Sequence, residues 1–598
     1  MPFRKESLGP YLADEARKVP NDGYLGVLPC EDRESGLYPN VDLSIWLRSC
    51  INEQEKPLEG IVRGQIPDWI LGNFLQNGPG KFFYGDKIVR HLFDGAALVQ
   101  KYHIEEGKVM YQCRYLRTEA FKKNLVAKDV TINEFATPGN NKDGRLAFIG
   151  DLGKIMSDNT FISVYPLGEE YYCYYESPFI QRVDPDTLFT LKTINLNKHW
   201  NVLTNASHPH FDDYGNLLSL GMKVGTTGPE YIITKTKVDD DNYMAILDNK
   251  AKGDHYLKDE TLDLAKFDDS QIVAKVKSRW MMDPSYMHSF SVTENYYVIV
   301  EQPMTVNVPS LIAGTLKKRP MINSMRWKGE SITLFHVVHK VTGERVKMRY
   351  RTKAFFFLHT INAYEDEGHI VIDICSFSKP DMLYCMYLEA LQKAQSNPDY
   401  AELFRGRPQR YVLPLKVANN QHTKLDENLV SLNYTTAQAF LEKKRTIRLV
   451  PQTICDVGCE TPTINYDKYN GKKYRYFYAI TADVDDPVSA GQIHKIDTIS
   501  GQVQTWCEVG SYCAEPMFVP KPDAQDEDDG VILSSIIRNK PEVNYTALLV
   551  LDAKTMTEIG RAEFRCVGPV PKPLHGYFTG NNVSHNRHQA AKAKQSQM

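Results

Sequence analysis

The sequence has no run of about 18 apolar residues, so nothing in it reads as a membrane-spanning helix. Its opening residues, Met1-Pro-Phe-Arg-Lys-Glu-Ser7, lack the apolar core of a secretion signal, and Pro2 stands where myristoylation needs glycine. No Cys-x-x-Cys occurs among the 11 cysteines, an odd and scattered set in which three residues separate Cys455 from Cys459. Such thiols read as reduced, buried small hydrophobes rather than as a disulfide framework. Nor is there a charge excess: 71 basic residues stand against 74 acidic ones, a net charge of -3, which excludes a broad basic field for nucleic acid. Together these absences point to a cytoplasmic protein that can touch a membrane surface without crossing it.

What the chain has in abundance is tyrosine, 34 residues, set in β-branched and aromatic runs of strand length. Residues 108–115, 170–176, 296–301, 369–375 and 531–537 read as strands. Polar turns at Asp184-Pro-Asp-Thr-Leu188, Val341-Thr-Gly-Glu344, Asp497-Thr-Ile-Ser-Gly501 and Asp552-Ala-Lys-Thr-Met556 each join one apolar strand to the next. Repeated hairpins of this kind favour an all-β propeller over a sandwich. The expected organisation is a polar arm (1–40) and one β body (41–580), followed by a disordered tail (581–598). Solvated insertions are expected within the body near 238–270 and 416–446. Asn77-Gly-Pro-Gly80 reads as a tight turn and His91-Leu-Phe-Asp-Gly95 as a hairpin bend. Residues 42–50 read as a short amphipathic helix, and 381–394 as a helix of about four turns.

Four histidines sit in similar apolar, strand-like settings: Ser207-His208-Pro209, Tyr286-Met287-His288, Phe357-Leu358-His359 and Pro573-Leu574-His575. They are far apart in sequence, so no local zinc-type spacing joins them. A closed fold nevertheless brings one residue from each of several blades to a common axis, and each histidine reads either as a buried structural residue or as a ligand. The extended stretch around Pro209 is expected to send His208 and His210 to opposite sides, leaving only one to face a centre. Glu176, Glu460 and Glu515 lie in equally apolar surroundings, where a carboxylate needs a partner. The free ring N–H of a metal-bound histidine is one such partner, and an arginine or a turn N–H is another.

In order along the chain, Asn77-Gly-Pro-Gly80, His91-Leu-Phe-Asp-Gly95, Ser207-His-Pro-His210, Tyr286-Met-His288, Phe357-Leu-His359, Cys459-Glu-Thr-Pro462, Ala514-Glu-Pro-Met-Phe518, Glu527-Asp-Asp-Gly-Val531 and Leu574-His-Gly576 resemble the carotenoid cleavage oxygenases. Leu37-Tyr-Pro-Asn40, Ile45-Trp-Leu-Arg-Ser-Cys50 and Met382-Leu-Tyr-Cys-Met-Tyr-Leu-Glu-Ala390 are most similar to insect members. The resemblance implies a seven-bladed β-propeller with a helical and loop cap over its top face and a non-haem Fe(II) on its axis. It assigns His208, His288, His359 and His575 as iron ligands and Glu176, Glu460 and Glu515 as carboxylates behind them; His210 matches no ligand. The implied reaction is cleavage of a C40 carotenoid (β-carotene, zeaxanthin or lutein) by dioxygen at the central 15,15′ double bond, giving two retinal-type aldehydes with one half turned 11-cis. A retinyl-ester isomerohydrolase on the same iron, or a carotenoid-binding propeller without catalysis, are the alternatives. The chain departs from vertebrate retinoid members at Thr137-Pro-Gly-Asn-Asn-Lys-Asp143, where those carry a candidate lipidated cysteine and this chain has none.

A long apolar substrate calls for an aromatic tunnel, for which Tyr286, Phe290, Phe355, Phe357, Tyr577 and Phe578, near the histidines, are candidates. An insoluble substrate also calls for contact with a membrane or lipid-droplet surface. Phe148, Ile149, Leu311 and Ile312 are the candidate patch, the last two close to Lys317-Lys-Arg-Pro320.

Overall fold

Adjacent apolar runs separated by short polar turns pair as antiparallel hairpins, and this pairing generates seven sheets of four to six strands. The computed structural model describes residues 26–140, 156–168, 170–238, 266–416, 425, 427–443 and 445–580. The sheets are the blades of a seven-bladed β-propeller. Blade 1 holds Gly72–Pro79, Ala97–Glu105, Lys108–Tyr115 and Leu58–Glu59; blade 2 holds Ser163–Leu167, Glu170–Tyr174, Phe179–Val183 and Thr190–Asn195. Blade 3 starts at Thr204–Asn205 and His210–Phe211, blade 4 at Ser291–Val292 and blade 5 at Phe356–Asp366. Blade 6 starts at Cys459–Thr463, and blade 7 at Ser511–Cys513 and Met517–Pro520.

Both ends of the described chain lock the ring. His575–Gly580 pairs with Gly72–Pro79 as the end strand of blade 1, and Ile61–Gly64 pairs with Glu558–Arg565 on the far edge of blade 7. Blades 1 and 7 are each built from both early and late chain, which closes the ring. Between blades 5 and 6, the fully buried Arg410 forms a two-pronged ion pair with Asp373 at 2.8 Å on each prong, and Tyr474 donates to the same carboxylate at 2.7 Å.

The four polar turns fall between paired strands as expected. Other local readings are corrected. Asn77-Gly-Pro-Gly is not a tight turn: Asn77, Gly78 and Pro79 end a strand. A Cβ at Gly78 would lie 2.7 Å from the Pro573 Cα, so glycine here permits a close backbone approach rather than a reversal. His91–Gly95 is a 3-10 turn, not a hairpin, fixed by a capping box between His91 and Asp94. Residues 42–50 hold only the 3-10 turn Leu43–Leu47.

The four-turn helix expected over 381–394 is broken into Met382–Cys385 and Leu388–Gln392. Tyr387 between them is extended and bridges to His91, so a tertiary pairing overrides a helical period. These short helices, with Leu43–Leu47 and Leu92–Asp94, make the cap. The arm is no free appendage from residue 26 on, because Leu28 and Tyr38 are buried. Part of the polar stretch 416–446 is ordered sheet: Gln438–Lys443 pairs with Thr446–Val450 at the edge of blade 4. Most of 238–270, and the tail 581–598, lie outside the described residues; Lys266 and Phe267, at the end of the former, are buried.

Candidate metal centre

Four elements bring the histidines to the axis. His208 sits in irregular chain between Thr204–Asn205 and His210–Phe211, His288 just before Ser291–Val292, His359 within Phe356–Asp366, and His575 opens His575–Gly580. One nitrogen from each ring lies within 4.8 Å of the others. The Nε2 atoms of His208 and His288 are 3.1 Å apart, and those of His288 and His359 3.2 Å apart.

Behind three of the rings stands a carboxylate. His288 Nδ1–H donates to Glu176, His359 Nδ1–H to Glu460 at 2.5 Å, and His575 Nδ1–H to Glu515 at 2.8 Å. The second oxygen of Glu515 accepts the Gly576 amide at 2.8 Å, and Tyr286 donates to Glu176 at 2.5 Å. Burial lifts the Glu176 carboxyl to about 8, and the Tyr286 hydroxyl pulls it back. Burial first, and then the neighbouring imidazoles, hold His208 and His288 well below the ordinary histidine value. His208 and His288 are therefore neutral, and the ring hydrogen of His288 sits on Nδ1, where its carboxylate accepts.

The Nε2 lone pairs of such rings point at one another across about 3 Å, a repulsive arrangement that a cation between them reverses. Nitrogen ligands about 2.1 Å from a metal and at right angles would stand about 3 Å apart, so the donor set fits a divalent transition metal. Carboxylates behind the rings fix the tautomer without occupying a coordination site.

His210 does turn away from the cluster, its Nδ1 meeting the Tyr466 hydroxyl at 2.9 Å and its Nε2 donating to the Phe290 carbonyl at 2.8 Å. Regular strand alternation is not the cause, since residues two apart share a face; the chain is irregular at Pro209.

Two cavities meet the cluster. One, of about 1130 Å³ counted to its open mouth, reaches His288, His359 and His575 and is walled by Trp46, Phe93, Ile162, Met382, Met386 and Phe404 among others. The second, about 1150 Å³ on the same count, reaches His208 and His359. Of the expected tunnel aromatics, Phe290, Tyr577 and Phe578 line the second cavity. Phe355 and Phe357 do not line either; they are packed in the core shared by blades 4 and 5. Tyr286 is buried against Glu176 instead.

Sequence reasoning missed the cap wall, because nothing local marks a turn such as Leu43–Leu47 as folding over the axis. It also missed Tyr165, whose hydroxyl meets His208 Nδ1 at 3.2 Å, and Lys572, which lines the first cavity. The one sequence signal for Lys572 is its position three residues before His575; nothing local marks Tyr165, which the structure places in the end strand Ser163–Leu167 of blade 2. In the expected membrane patch, Leu311 is 5% exposed and so turned inward, and Ile312 is half-buried. Phe148 and Ile149 lie outside the described residues.

Four converging imidazoles, three backed by carboxylates, on the axis of seven blades define a four-histidine propeller. Comparison with known proteins places it further. A family model described as retinal pigment epithelial membrane protein matches residues 47–580. A carotenoid isomerooxygenase of Galleria mellonella is 40% identical, the match covering 91% of this chain and 97% of the relative. A carotenoid isomerooxygenase of Drosophila melanogaster is 38% identical (92% and 95% covered), and a β,β-carotene 15,15′-dioxygenase of Mus musculus 33% identical (88% and 90%). Among solved structures, a cobalt-substituted Synechocystis apocarotenoid oxygenase superposes with a TM-score of 0.67 at 19% identity, covering 91% of this chain and all of the other. The chain belongs to the retinal pigment epithelial membrane protein family of carotenoid oxygenases.

Proposed function

We propose that this chain is an iron(II) dioxygenase that cleaves a C40 carotenoid at its central 15,15′ double bond into two retinal-type aldehydes and turns one half 11-cis. The observation that carries the reading is the four-imidazole cluster opening directly onto an apolar cavity. The names of the relatives, carotenoid isomerooxygenase and β,β-carotene 15,15′-dioxygenase, supply the reaction.

His208, His288, His359 and His575 hold the metal, and Glu176, Glu460 and Glu515 orient three of them. Iron(II) supplies the unpaired electrons that let dioxygen react with a closed-shell alkene. The protein does the rest by placement. Neutral imidazoles leave the cation its full charge. Trp46, Phe93, Met382 and Met386 exclude water and hold an apolar chain beside His288, His359 and His575. Incubating iron-loaded protein with β-carotene, zeaxanthin or lutein under ¹⁸O-labelled dioxygen tests this: both aldehydes should carry the label and one should be 11-cis. Conversion of a retinyl ester without oxygen uptake, or carotenoid binding without turnover, would replace the reading.

Substrate entry is from a lipid surface. No helix among the described residues is long and apolar enough to cross a membrane. On the helix Glu119–Ala127, Leu125 is 44% and Val126 88% exposed, beside Lys122, Lys123 and Lys128. Leu316, 42% exposed, ends Val308–Leu316 beside Lys317, Lys318 and Arg319. The loops that follow these helices run together: Lys318 donates to Asn140 and Asn133 to the Arg319 carbonyl, each at 3.2 Å. Exposed apolar side chains among cations suit adsorption to an anionic surface. Burying three such residues, at about 1.5–3 kcal/mol each, is enough for reversible binding. Leu125, Val126 and Leu316 changed together to Ser should reduce flotation with anionic liposomes; unaltered flotation of the folded triple variant would remove this surface from the reading.

A further inference from the structure

Lys572 is a lysine the metal centre does not use. It lines the first cavity, which also reaches His288, His359 and His575, and it is 6% exposed. One N–H donates to the Cys513 carbonyl, and the nitrogen stands 4.8 Å from the centre of the Trp46 ring. An ammonium has three donors, and among the described residues no second acceptor meets this one. Its backbone is restrained: Lys572 lies between Pro571 and Pro573, which limits both neighbouring conformations. Gln100 donates to the Pro571 carbonyl at 3.0 Å, and Pro573 packs on Gly78. The side chain is thus held in an apolar chamber with donors to spare, a costly arrangement unless a ligand oxygen accepts from it. Burial lowers the ammonium to about 8, so roughly a tenth is free amine at pH 7, where an exposed lysine has almost none.

We infer that Lys572 is an aldehyde-binding site, at which the ε-amine captures a polyene aldehyde in the first cavity as a reversible imine. The aldehyde comes from the cleavage proposed above, so the inference rests on that reading. The amine lone pair attacks the carbonyl carbon and a C–N bond forms. The carbonyl oxygen then leaves as water, taking both nitrogen protons, and a C=N bond remains; no oxidant or reductant is needed. Water returning to the cavity reverses the step and releases the aldehyde. The consequence is that one product is retained beside the metal centre until the chamber opens.

The test uses the full-length, iron-loaded protein with added all-trans-retinal, borohydride reduction, and peptide mapping by mass spectrometry. The retinyl-amine adduct should fall on the peptide carrying Lys572, exceeding that on any surface lysine by about tenfold or more, as its larger free-amine fraction requires. Label spread evenly over surface lysines, or sparing Lys572, overturns the inference. Lys572→Arg keeps the charge but cannot form the imine, and should lose the adduct while retaining iron; if that variant does not fold, the wild-type peptide map decides alone. Carotenoid cleavage measured on the same preparation separates the two proposals. Cleavage without an adduct rejects the lysine site and leaves the dioxygenase, whereas an adduct without cleavage rejects the dioxygenase and leaves an aldehyde-binding amine.

Discussion

His288, His359 and His575 each donate an Nδ1–H hydrogen bond to a buried carboxylate, whereas among the described residues His208 Nδ1 meets the hydroxyl of Tyr165, at 3.2 Å. The difference is one of charge. A divalent cation bound as proposed favours the ionised form of all three carboxylates, Glu176 included, and together they already exceed its charge by one. A fourth would add an unbalanced buried negative charge, at an effective cost of several kcal/mol. A phenol accepts the ring N–H while staying neutral; burial, followed by the charge of Glu515, holds Tyr165 well above the ordinary tyrosine value. The site is therefore asymmetric: three strongly backed histidines and one weakly backed one.

The largest expected effect breaks the comparison at the ligands themselves. Replacing any of His208, His288, His359 or His575 with Ala should remove most bound iron, read by elemental analysis of purified protein, and with it the activity. His210→Ala should keep its iron, because both His210 nitrogens are spent on Tyr466 and Phe290. Wild-type iron content in two or more of the four ligand variants would end the assignment.

A carboxylate far from the axis shows what a purely structural pair does. Arg410→Met leaves Asp373 charged and buried without its cation, which should cost about 3–5 kcal/mol of stability in denaturant unfolding. Iron per folded molecule should not change. A loss of iron in step with stability would mean that metal content merely reports folding, and would weaken every comparison drawn at the axis.

Glu176→Gln, Glu460→Gln and Glu515→Gln keep an acceptor oxygen but lose the charge. Each should lower metal affinity or activity by about 10–100-fold rather than abolish it. A competition titration against a chelator reads this directly, and an affinity within twofold of wild type for all three would contradict the orienting role.

The propeller was legible because its blades are hairpins, and a hairpin is written in adjacent residues. The four histidines were legible because each sits in an apolar run where a polar ring is anomalous. What faced what was not. Phe357 and His359 share strand parity, yet Phe357 lies in the core between blades while His359 reaches the axis. The strand shifts register between Phe357 and Thr360, and a bulge re-aims side chains in a way that composition cannot announce. An apolar segment beside lysines predicts an outward Leu311; the helix Val308–Leu316 turns it inward and leaves Leu316 out. The break at Tyr387 was equally hidden, since its cause is His91, far away in sequence.

The smallest expected effect lies at Tyr165. Tyr165→Phe keeps the ring packed near Tyr577 and Phe211, with centroids now 5.9 and 6.4 Å away, and removes only the acceptor for the His208 N–H. One neutral hydrogen bond is worth about 0.5–1.5 kcal/mol net, so iron should be stripped by a chelator about two- to tenfold faster than from wild type. That places the phenol below the carboxylates, as a neutral partner must be. The informative measurement is the ranking within one experiment: stripping rates for Tyr165→Phe and Glu515→Gln under the same chelator. If the tyrosine variant loses iron as fast as the glutamate variant, the hydroxyl does more than accept one hydrogen bond and the charge argument for the asymmetry fails. If it loses iron no faster than wild type, His208 is held by its backbone alone, and Tyr165 is a wall of the second cavity rather than a partner of the ligand.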